Sequence, residues 1–154
     1  MASLVEAALD EGGHDEFDIV DVSAVADLVG GLSALSTTCE FAVEAAPEIR
    51  AWARPVALAR ALSCILDNAI RAAGPDGTVV VRVTEDLATG SVDVSVIDNG
   101  PGPGRIASRT SLGLTTTRAM VAACDGAFRL YPGSSAGAVA EIRLQRAQSQ
   151  LAAG

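Results

Sequence analysis

Apolar residues recur at steps of three and four in the middle of the chain, which is the spacing of one face of an α-helix. The pattern runs from Pro55 to about Ala73. It is carried by Leu58, Leu62, Ile65, Leu66, Ala69, Ile70 and Ala73. A proline fits the first turn of a helix, because the N–H group there has no partner within the helix. The sequence therefore predicts a long helix with one buried face.

Two shorter helices are predicted on either side of this one. Ser23 is a suitable N-cap for a helix that continues through about Leu35. Its buried stripe is expected to comprise Val25, Leu28, Val29 and Leu32. A further helix is predicted from Leu112 to Cys124, stopped near Gly126 and preceded by a polar loop at Pro103 to Ser111.

Alternating apolar and polar residues predict strands in the remaining segments. The predicted strands are Phe17 to Val22, Glu40 to Ala45, Glu48 to Trp52, Thr78 to Thr84, Ser91 to Asp98, Ala127 to Tyr131 and Ala138 to Leu144. The turn Ala88-Thr89-Gly90 is expected to pair the fourth and fifth of these as a hairpin. The fold class is therefore α+β: a two-layer sandwich in which about three helices cover one face of a mixed, mostly antiparallel sheet.

Composition limits the classes of protein to which the chain can belong. A chain of 154 residues with 49% hydrophobic content suits one compact domain. We predict a linker at 1–16, the domain at 17–144 and a flexible tail at 145–154. The net charge of -8 argues against binding nucleic acid.

Cysteine usage and hydropathy bear on the compartment. The three cysteines, Cys39, Cys64 and Cys124, show no C-x-x-C spacing, so neither a disulfide framework nor a zinc site is indicated. No signal peptide or run of 18 apolar residues is present, so no direct membrane contact is expected. A cytoplasmic location follows, and the chain is then either free or the cytoplasmic part of a membrane-anchored sensor.

The end of the Ser91 to Asp98 strand carries an acidic residue on an apolar face. Asp98 shares the two-residue period of the valines at 92, 94 and 96, so its carboxylate points toward apolar surroundings. A charge placed there requires a donor, and the exocyclic amine of an adenine would supply one. Gly100 and Gly102 then allow the backbone to approach a flat ligand.

A second candidate cluster lies on the long helix. Cys64, Asn68 and Arg71 fall on one stripe roughly opposite its apolar seam. The oxygen of Asn68 is a suitable magnesium ligand, and Arg71 is able to meet phosphate charge. The segment Thr110 to Gly113 is predicted to enter the next helix, where free backbone amides favour anions.

Taken in order, these motifs resemble the catalytic ATP-binding domain of bacterial sensor histidine kinases, in the GHKL or Bergerat-fold ATPase family. The motifs are Asn68, Asp98-x-Gly100-x-Gly102, Leu112-Gly113-Leu114 and Gly137 before a last strand. The resemblance covers Phe17 to Leu144 and implies ATP and Mg²⁺ as cofactors. It implies that Asn68 holds magnesium, that Asp98 binds adenine, and that the segment around Gly113 touches the phosphates. The other residues that it implies at the nucleotide are Gly100, Gly102, Leu112, Leu114 and Gly137. Arg71 matches a basic position of the family, so Asn68 and Arg71 are the expected catalytic residues.

The resemblance also implies partners. Such a domain presents the γ-phosphate of ATP to a histidine on a dimerisation domain, in the same full-length protein or in a partner, and acts on a response regulator indirectly. The sole histidine, His14, lies in a Gly-rich acidic loop, so the chain alone is not expected to autophosphorylate.

Some positions depart from the family pattern. Cys64 stands where relatives carry Asn or a general-base Glu, Ser111 replaces a glycine, and Ala138 follows Gly137 in place of threonine. The loop between the glycine motifs is short and has no phenylalanine. Two alternatives therefore remain: a catalytically weakened nucleotide-binding or interaction module, and an anti-sigma-type serine kinase of the same fold.

Overall fold

The computed structural model describes residues 15–100, 107–134 and 137–147. In this part of the chain the helices are α1 (Val22–Ala34), α2 (Pro55–Ala73) and α3 (Ala107–Ala123). The strands are β1 (Asp18–Asp21), β2 (Glu40–Ala45), β3 (Arg50–Ala53), β4 (Thr78–Asp86), β5 (Ser91–Asp98), β6 (Ala127–Pro132) and β7 (Ala138–Arg146).

The seven strands form one mixed sheet in the order β1-β3-β7-β5-β4-β2. The strand β6 also pairs with β7, along the edge that β7 does not share with β5. Only β2 and β4 are parallel among the described pairs, and β4 and β5 form the predicted antiparallel hairpin. The predicted α+β class is confirmed.

The core lies between the helices and one face of this sheet. The apolar stripe of α2 is almost completely buried, including Leu58, Leu62, Ile65 and Leu66. It packs over the inward valines of the two central strands. These are Val79, Val81, Val92, Val94 and Val96. The predicted span and buried face of α2 are therefore correct, and this well-packed helix positions the candidate site residues that it carries.

The opposite face of the sheet carries ion pairs instead of helices. Arg82 pairs with Glu44 at 2.9 Å, and Arg143 pairs with Asp93 at 2.8 Å. Their positions alternate with buried valines because successive side chains of a strand point to opposite faces. No helix among the described residues combines the length and apolarity needed to cross a membrane.

The prediction for α1 was wrong in its cap and in half of its buried stripe, since Val25 and Val29 are buried as predicted but Leu28 and Leu32 are not. Asp21 is the N-cap and accepts a hydrogen bond from the Ala24 amide at 3.0 Å. Ser23 is buried and donates to the Ala46 carbonyl at 2.5 Å. Leu28 and Leu32 are 39% and 50% exposed. The helix instead packs through a stripe of smaller residues: Val22, Ser23, Val25, Ala26, Val29 and Gly30.

The start of α3 also differs from the prediction. The helix begins at Ala107 instead of Leu112, so the last part of the predicted polar loop is helical. No glycine or proline lies between Ala107 and Leu112 to interrupt a helix, although the segment is polar. The rest of that loop, and Gly102, lie outside the described residues. β3 begins at Arg50 because Glu48 has a φ of 62°, which a strand does not permit.

Candidate functional site

Asp98 ends β5 on the inward face, as the alternation of that strand predicts, and is only 7% exposed. Its Oδ1 accepts a hydrogen bond from the Gly100 amide at 2.9 Å, and the Ala138 amide also donates to this carboxylate. Burial raises the pKa of Asp98 above its ordinary value of 3.8, while these two hydrogen bonds act in the opposite direction. A carboxylate has about four acceptor positions, so two backbone donors leave capacity for a ligand amine.

The turn after Asp98 is held by contacts with two elements, β4 and α2. Asn99 exchanges hydrogen bonds with Thr78 of β4: its Oδ1 accepts from the Thr78 amide at 2.9 Å, and its own amide donates to the Thr78 carbonyl at 3.3 Å. A Cβ at Gly100 would overlap the carbonyl oxygen of Ala72, near the end of α2. The turn is therefore pressed directly against the last part of α2.

Gly137 closes the same corner from β7. It has a φ of 74°, which side chains rarely adopt, and a Cβ there would overlap the carbonyl oxygen of Asp98. Gly137 and Gly100 thus permit close approach of protein backbones. This is an intramolecular reason for glycine that the sequence did not reveal, because the sequence interpretation assigned both to the ligand.

Asn68 lies between two contacts on one line of α2. Cys64, Asn68 and Ala72 follow at steps of four residues, which places them on one side of the helix. Cys64 contacts Thr117 of α3, and Ala72 meets Gly100 of the turn. The line places Asn68 one helical turn before the residue that meets the Asp98 turn, and a site shared by Asn68 and Asp98 stays a prediction.

The carboxamide of Asn68 has an unused buried group. Its Nδ2 is buried and has no hydrogen-bond partner among the described residues. Burying an amide group without a partner is unfavourable. A half-turn about the terminal side-chain bond exchanges nitrogen and oxygen, so the same position suits an oxygen ligand for a cation. This side chain therefore has a free polar end that a bound group could satisfy.

The protein oxygen available at this position suits a magnesium ion that is bound together with the phosphates of a nucleotide. The described residues contain no group of three or more His, Cys, Asp or Glu side chains able to hold a metal. Mg²⁺ commonly takes one or two protein ligands and fills the other positions with water and phosphate oxygens. A lone carboxamide oxygen from Asn68 is consistent with that pattern.

Arg71 follows Asn68 by three residues in α2 and is exposed. Its side chain is 53% exposed and pairs with Asp67 at 3.1 Å, four residues earlier in α2. With Leu35, Thr38 and Ile70 it lines an open cavity of about 600 Å³ on the side of α2 that faces the end of α1. An exposed ion pair of this kind is weak, so Arg71 is readily available to a stronger anion.

Cys64 lies one turn before Asn68 and is partly buried. Burial raises the pKa of its thiol, as does the nearby Asp67, while a hydrogen bond with Thr117 and the charge of Arg60 oppose this. The thiol therefore stays protonated at neutral pH. Thr117 has no exposed surface. It was not identified from the sequence, although it shares a helical stripe with buried Val121 and Cys124.

The predicted phosphate segment lies inside α3 and not at its first turn. Since α3 begins at Ala107, Leu112, Gly113 and Leu114 belong to its second turn. Only the first four amides of a helix lack partners within it. The expectation that free amides at Leu112 and Gly113 receive an anion is therefore wrong for this helix start, and a phosphate role for these residues remains a prediction.

A set of hydrogen bonds, here called the clasp, joins Asp15 to the N-terminal end of α2 and to the C-terminal end of α3. It was not predicted from the sequence. Asp15 accepts hydrogen bonds from the amides of Val56 and Ala57, both at 2.8 Å, and so caps α2. Arg54 donates to the Asp15 carbonyl at 2.6 Å and to the Ala123 carbonyl at 2.9 Å. The partners of Asp15 are about forty positions away in sequence, so no local pattern could indicate them.

Comparisons with known proteins agree with this geometry. A family profile described as histidine kinase-, DNA gyrase B-, and HSP90-like ATPase matches residues 53–148, which is more than half of the chain. No curated protein is similar enough in sequence to be matched.

Solved structures share the fold over most of the chain. The mycobacterial sensor histidine kinase MprB has a TM-score of 0.73 and 24% identity, with 87% of this chain and 100% of that chain covered. The ATP-binding domain of PrrB from Mycobacterium tuberculosis gives 0.73, 19%, 87% and 100% for the same quantities. The catalytic domain of histidine kinase ThkA gives 0.71, 19%, 87% and 99%.

Proposed function

Because the chain belongs to the histidine kinase-, DNA gyrase B- and HSP90-like ATPases, we propose that it is the ATP-binding catalytic domain of a two-component sensor histidine kinase. One observation carries the site: the buried acidic turn at Asp98 is packed against α2 one helical turn from Asn68, whose carboxamide has no partner among the described residues. The carboxylate of Asp98 suits the adenine end of a magnesium-bound nucleotide, and the carboxamide of Asn68 suits its metal-bound phosphate end.

Each residue has a separate role in this proposal. Asp98 accepts a hydrogen bond from the exocyclic amine of adenine, which guanine lacks at that position. The Asn68 oxygen would hold the magnesium ion, which would neutralise the charge of the phosphates. Arg71 exchanges its weak pair with Asp67 for phosphate charge. The segment Leu112 to Leu114 contacts the phosphates, Gly100 and Gly102 allow the backbone to approach the base, and Gly137 supports the Asp98 turn.

The chemistry is phosphoryl transfer, in which the protein supplies position and charge stabilisation. The γ-phosphate is presented to a histidine on a dimerisation domain, which is either part of the same full-length protein or a separate partner, and a response regulator then receives the phosphoryl group. The protonated thiol of Cys64 is a poor general base for water, so ATP is held for transfer and not hydrolysed. The site is expected to work in the cytoplasm.

A second candidate is a nucleotide-binding module that has lost transfer. It is favoured by Cys64 itself, which takes the position of the Asn or Glu that the family resemblance implies. Cys64→Asn separates the two: gain of transfer to an added histidine-bearing domain supports a weakened enzyme, and its absence supports the module. Acid-stable phosphoserine on a partner would instead support a serine kinase.

Calorimetric titration tests the proposed site. ATP, ADP and GTP are added with and without Mg²⁺ to the wild type, Asp98→Asn and Asn68→Ala. Asp93→Asn is the matched control, because Asp93 lies on the same strand but faces the open side of the sheet. We expect the first variant to lose adenine selectivity and the second to lose only the magnesium-dependent gain. Equal competition by GTP and ATP in the wild type would refute the role of Asp98.

A further inference from the structure

Two exposed aromatic side chains line one cavity at a distance from the candidate nucleotide site. Phe17, just before β1, is 38% exposed, and Trp52 of β3 is 40% exposed. The cavity has a volume of about 320 Å³, and its other lining residues are Cys124, Asp125 and Gln145. Single apolar residues on a surface are normal, whereas apolar surface gathered in one place marks an interaction site. The proposed function uses neither aromatic residue.

The clasp holds the start of the described chain at the rim of this cavity. Arg54 donates hydrogen bonds to the carbonyls of Asp15 and Ala123. Its guanidinium lies 4.5 Å from the centre of the Phe17 ring. Ala123 directly precedes two of the residues that line the cavity. Residues 1–14 therefore join the domain next to the exposed aromatic side chains.

The sequence that leads into the clasp has one apolar side at helical spacing, because two pairs of apolar residues are each four positions apart. These residues are Leu4, Val5, Ala8 and Leu9. Glu6 and Asp10 fall on the opposite side of the same spacing. Asp125 at the cavity has the same charge as these two acids and would repel them. Only the apolar side of the segment is therefore complementary to the cavity.

Reach and concentration favour this segment over a separate molecule as the occupant. Leu9 lies six positions before Asp15, so the extended chain between them spans about 20 Å at most. Gly12 and Gly13 lie within this stretch and allow the chain to reverse its direction. A short tether holds a segment at a roughly millimolar effective concentration. Even a weak apolar contact is then populated.

We propose that the apolar side of residues 4–9 docks onto the cavity lined by Phe17 and Trp52. The first part of the predicted linker is then a docked element, which fixes the direction in which the chain enters the domain. Its acidic side faces solvent, away from Asp125. The inference goes beyond the proposed function, because it involves no residue of the nucleotide site.

Trp52 is the only tryptophan of the chain, so its fluorescence reports on this cavity directly. Its emission maximum and its quenching by acrylamide are measured in the full chain for the wild type, Leu9→Asp and Ala7→Asp. Ala7→Asp is the matched control, because it adds the same charge to the same segment outside the apolar side. Leu151→Asp tests the other end of the chain, which follows Gln145 of the cavity closely in sequence.

We expect Leu9→Asp to shift the emission of Trp52 to longer wavelength and to increase its quenching. Loss of one buried leucine lowers the ratio of docked to undocked segment roughly tenfold or more. Ala7→Asp and Leu151→Asp should match the wild type, and dilution should not change the wild-type signal. Unchanged fluorescence in Leu9→Asp would overturn the inference, as would an equal effect of Ala7→Asp.

Other occupants of the cavity have distinct signatures. A shift confined to Leu151→Asp would assign the cavity to the C-terminal tail, and a signal that changes on dilution would assign it to a second copy; either result overturns the inference. If circular dichroism shows that Leu9→Asp does not fold, Leu4→Asp on the same apolar side must give the shift, and wild-type fluorescence there would overturn it. None of these measurements uses ATP, so their failure is separate from failure of the proposed function.

Discussion

Substituting the aspartate at the end of β5 by asparagine is the sharpest perturbation of the site. Asp98→Asn keeps the size of the side chain and removes its charge. The carboxylate accepts hydrogen bonds from the amides of Gly100 and Ala138. In the variant the single carboxamide oxygen is needed for these backbone donors, and the NH₂ group is left facing the amine of adenine.

The magnitude follows from the lost bond to adenine. A hydrogen bond to a charged group contributes about 1.5–3 kcal/mol. Since about 1.4 kcal/mol is a factor of ten, ATP affinity should fall roughly ten- to hundredfold in Asp98→Asn. Calorimetry with ATP measures this loss, and Asp93→Asn should bind as the wild type does. ATP affinity within about twofold of wild type in Asp98→Asn would refute the reasoning, because that is far below the value of one charged hydrogen bond.

The same carboxyl predicts a pH dependence of stability. Because burial raises the pKa of Asp98, the folded protein keeps this proton to a higher pH than the unfolded chain does. Stability is therefore lost as pH rises through the folded-state pKa, and the full cost is present above that pKa. We expect Tm of Asp98→Asn to equal or exceed that of the wild type at pH 7, with the difference shrinking toward pH 4. The opposite trend would contradict this, namely a Tm of Asp98→Asn that falls relative to the wild-type Tm as pH rises from low values to pH 7.

Further predictions concern the metal, the clasp and the corner glycine. Asn68→Ala should abolish the gain in ATP affinity on adding Mg²⁺ and leave magnesium-free binding intact, as measured by paired titrations; retention of the gain would exclude this ligand. Asp15→Ala removes the cap of α2 and should lower the free energy of unfolding by about 1 kcal/mol in urea, unlike the exposed control Glu16→Ala. Gly137→Ala should destabilise the domain more than Gly90→Ala, because both have positive φ but only the former would clash with backbone; equal Tm values would contradict this.

The parts of the fold that depend on local pattern could be predicted from the sequence. The span of α2 follows from the spacing of Leu58, Leu62 and Leu66, and the β4–β5 hairpin follows from alternation on both sides of a turn. Asp98 was placed on the inward face for the same reason. If one of these segments took the other type of secondary structure, many of its apolar residues would be exposed at once. The apolar pattern is therefore compatible with only one type of element.

Other features depend on distant partners and could not be predicted in this way. In α1 the leucines at 28 and 32 are exposed because the helix approaches the sheet through smaller residues such as Gly30, which lies close to Val43. The cap by Asp15 and the contact between Thr117 and Cys64 join residues far apart in sequence. The start of α3 was missed because a polar segment without glycine or proline suits both a loop and a helix.

The central claim is that one corner of the domain holds the base through Asp98 and the metal through Asn68. A crystal structure of the domain with Mg²⁺ and a non-hydrolysable ATP analogue tests it most directly. The account predicts the exocyclic amine of adenine at about 3 Å from the Asp98 carboxylate, with the Asn68 oxygen among the magnesium ligands. Adenine bound away from Asp98, or magnesium without Asn68, would contradict it.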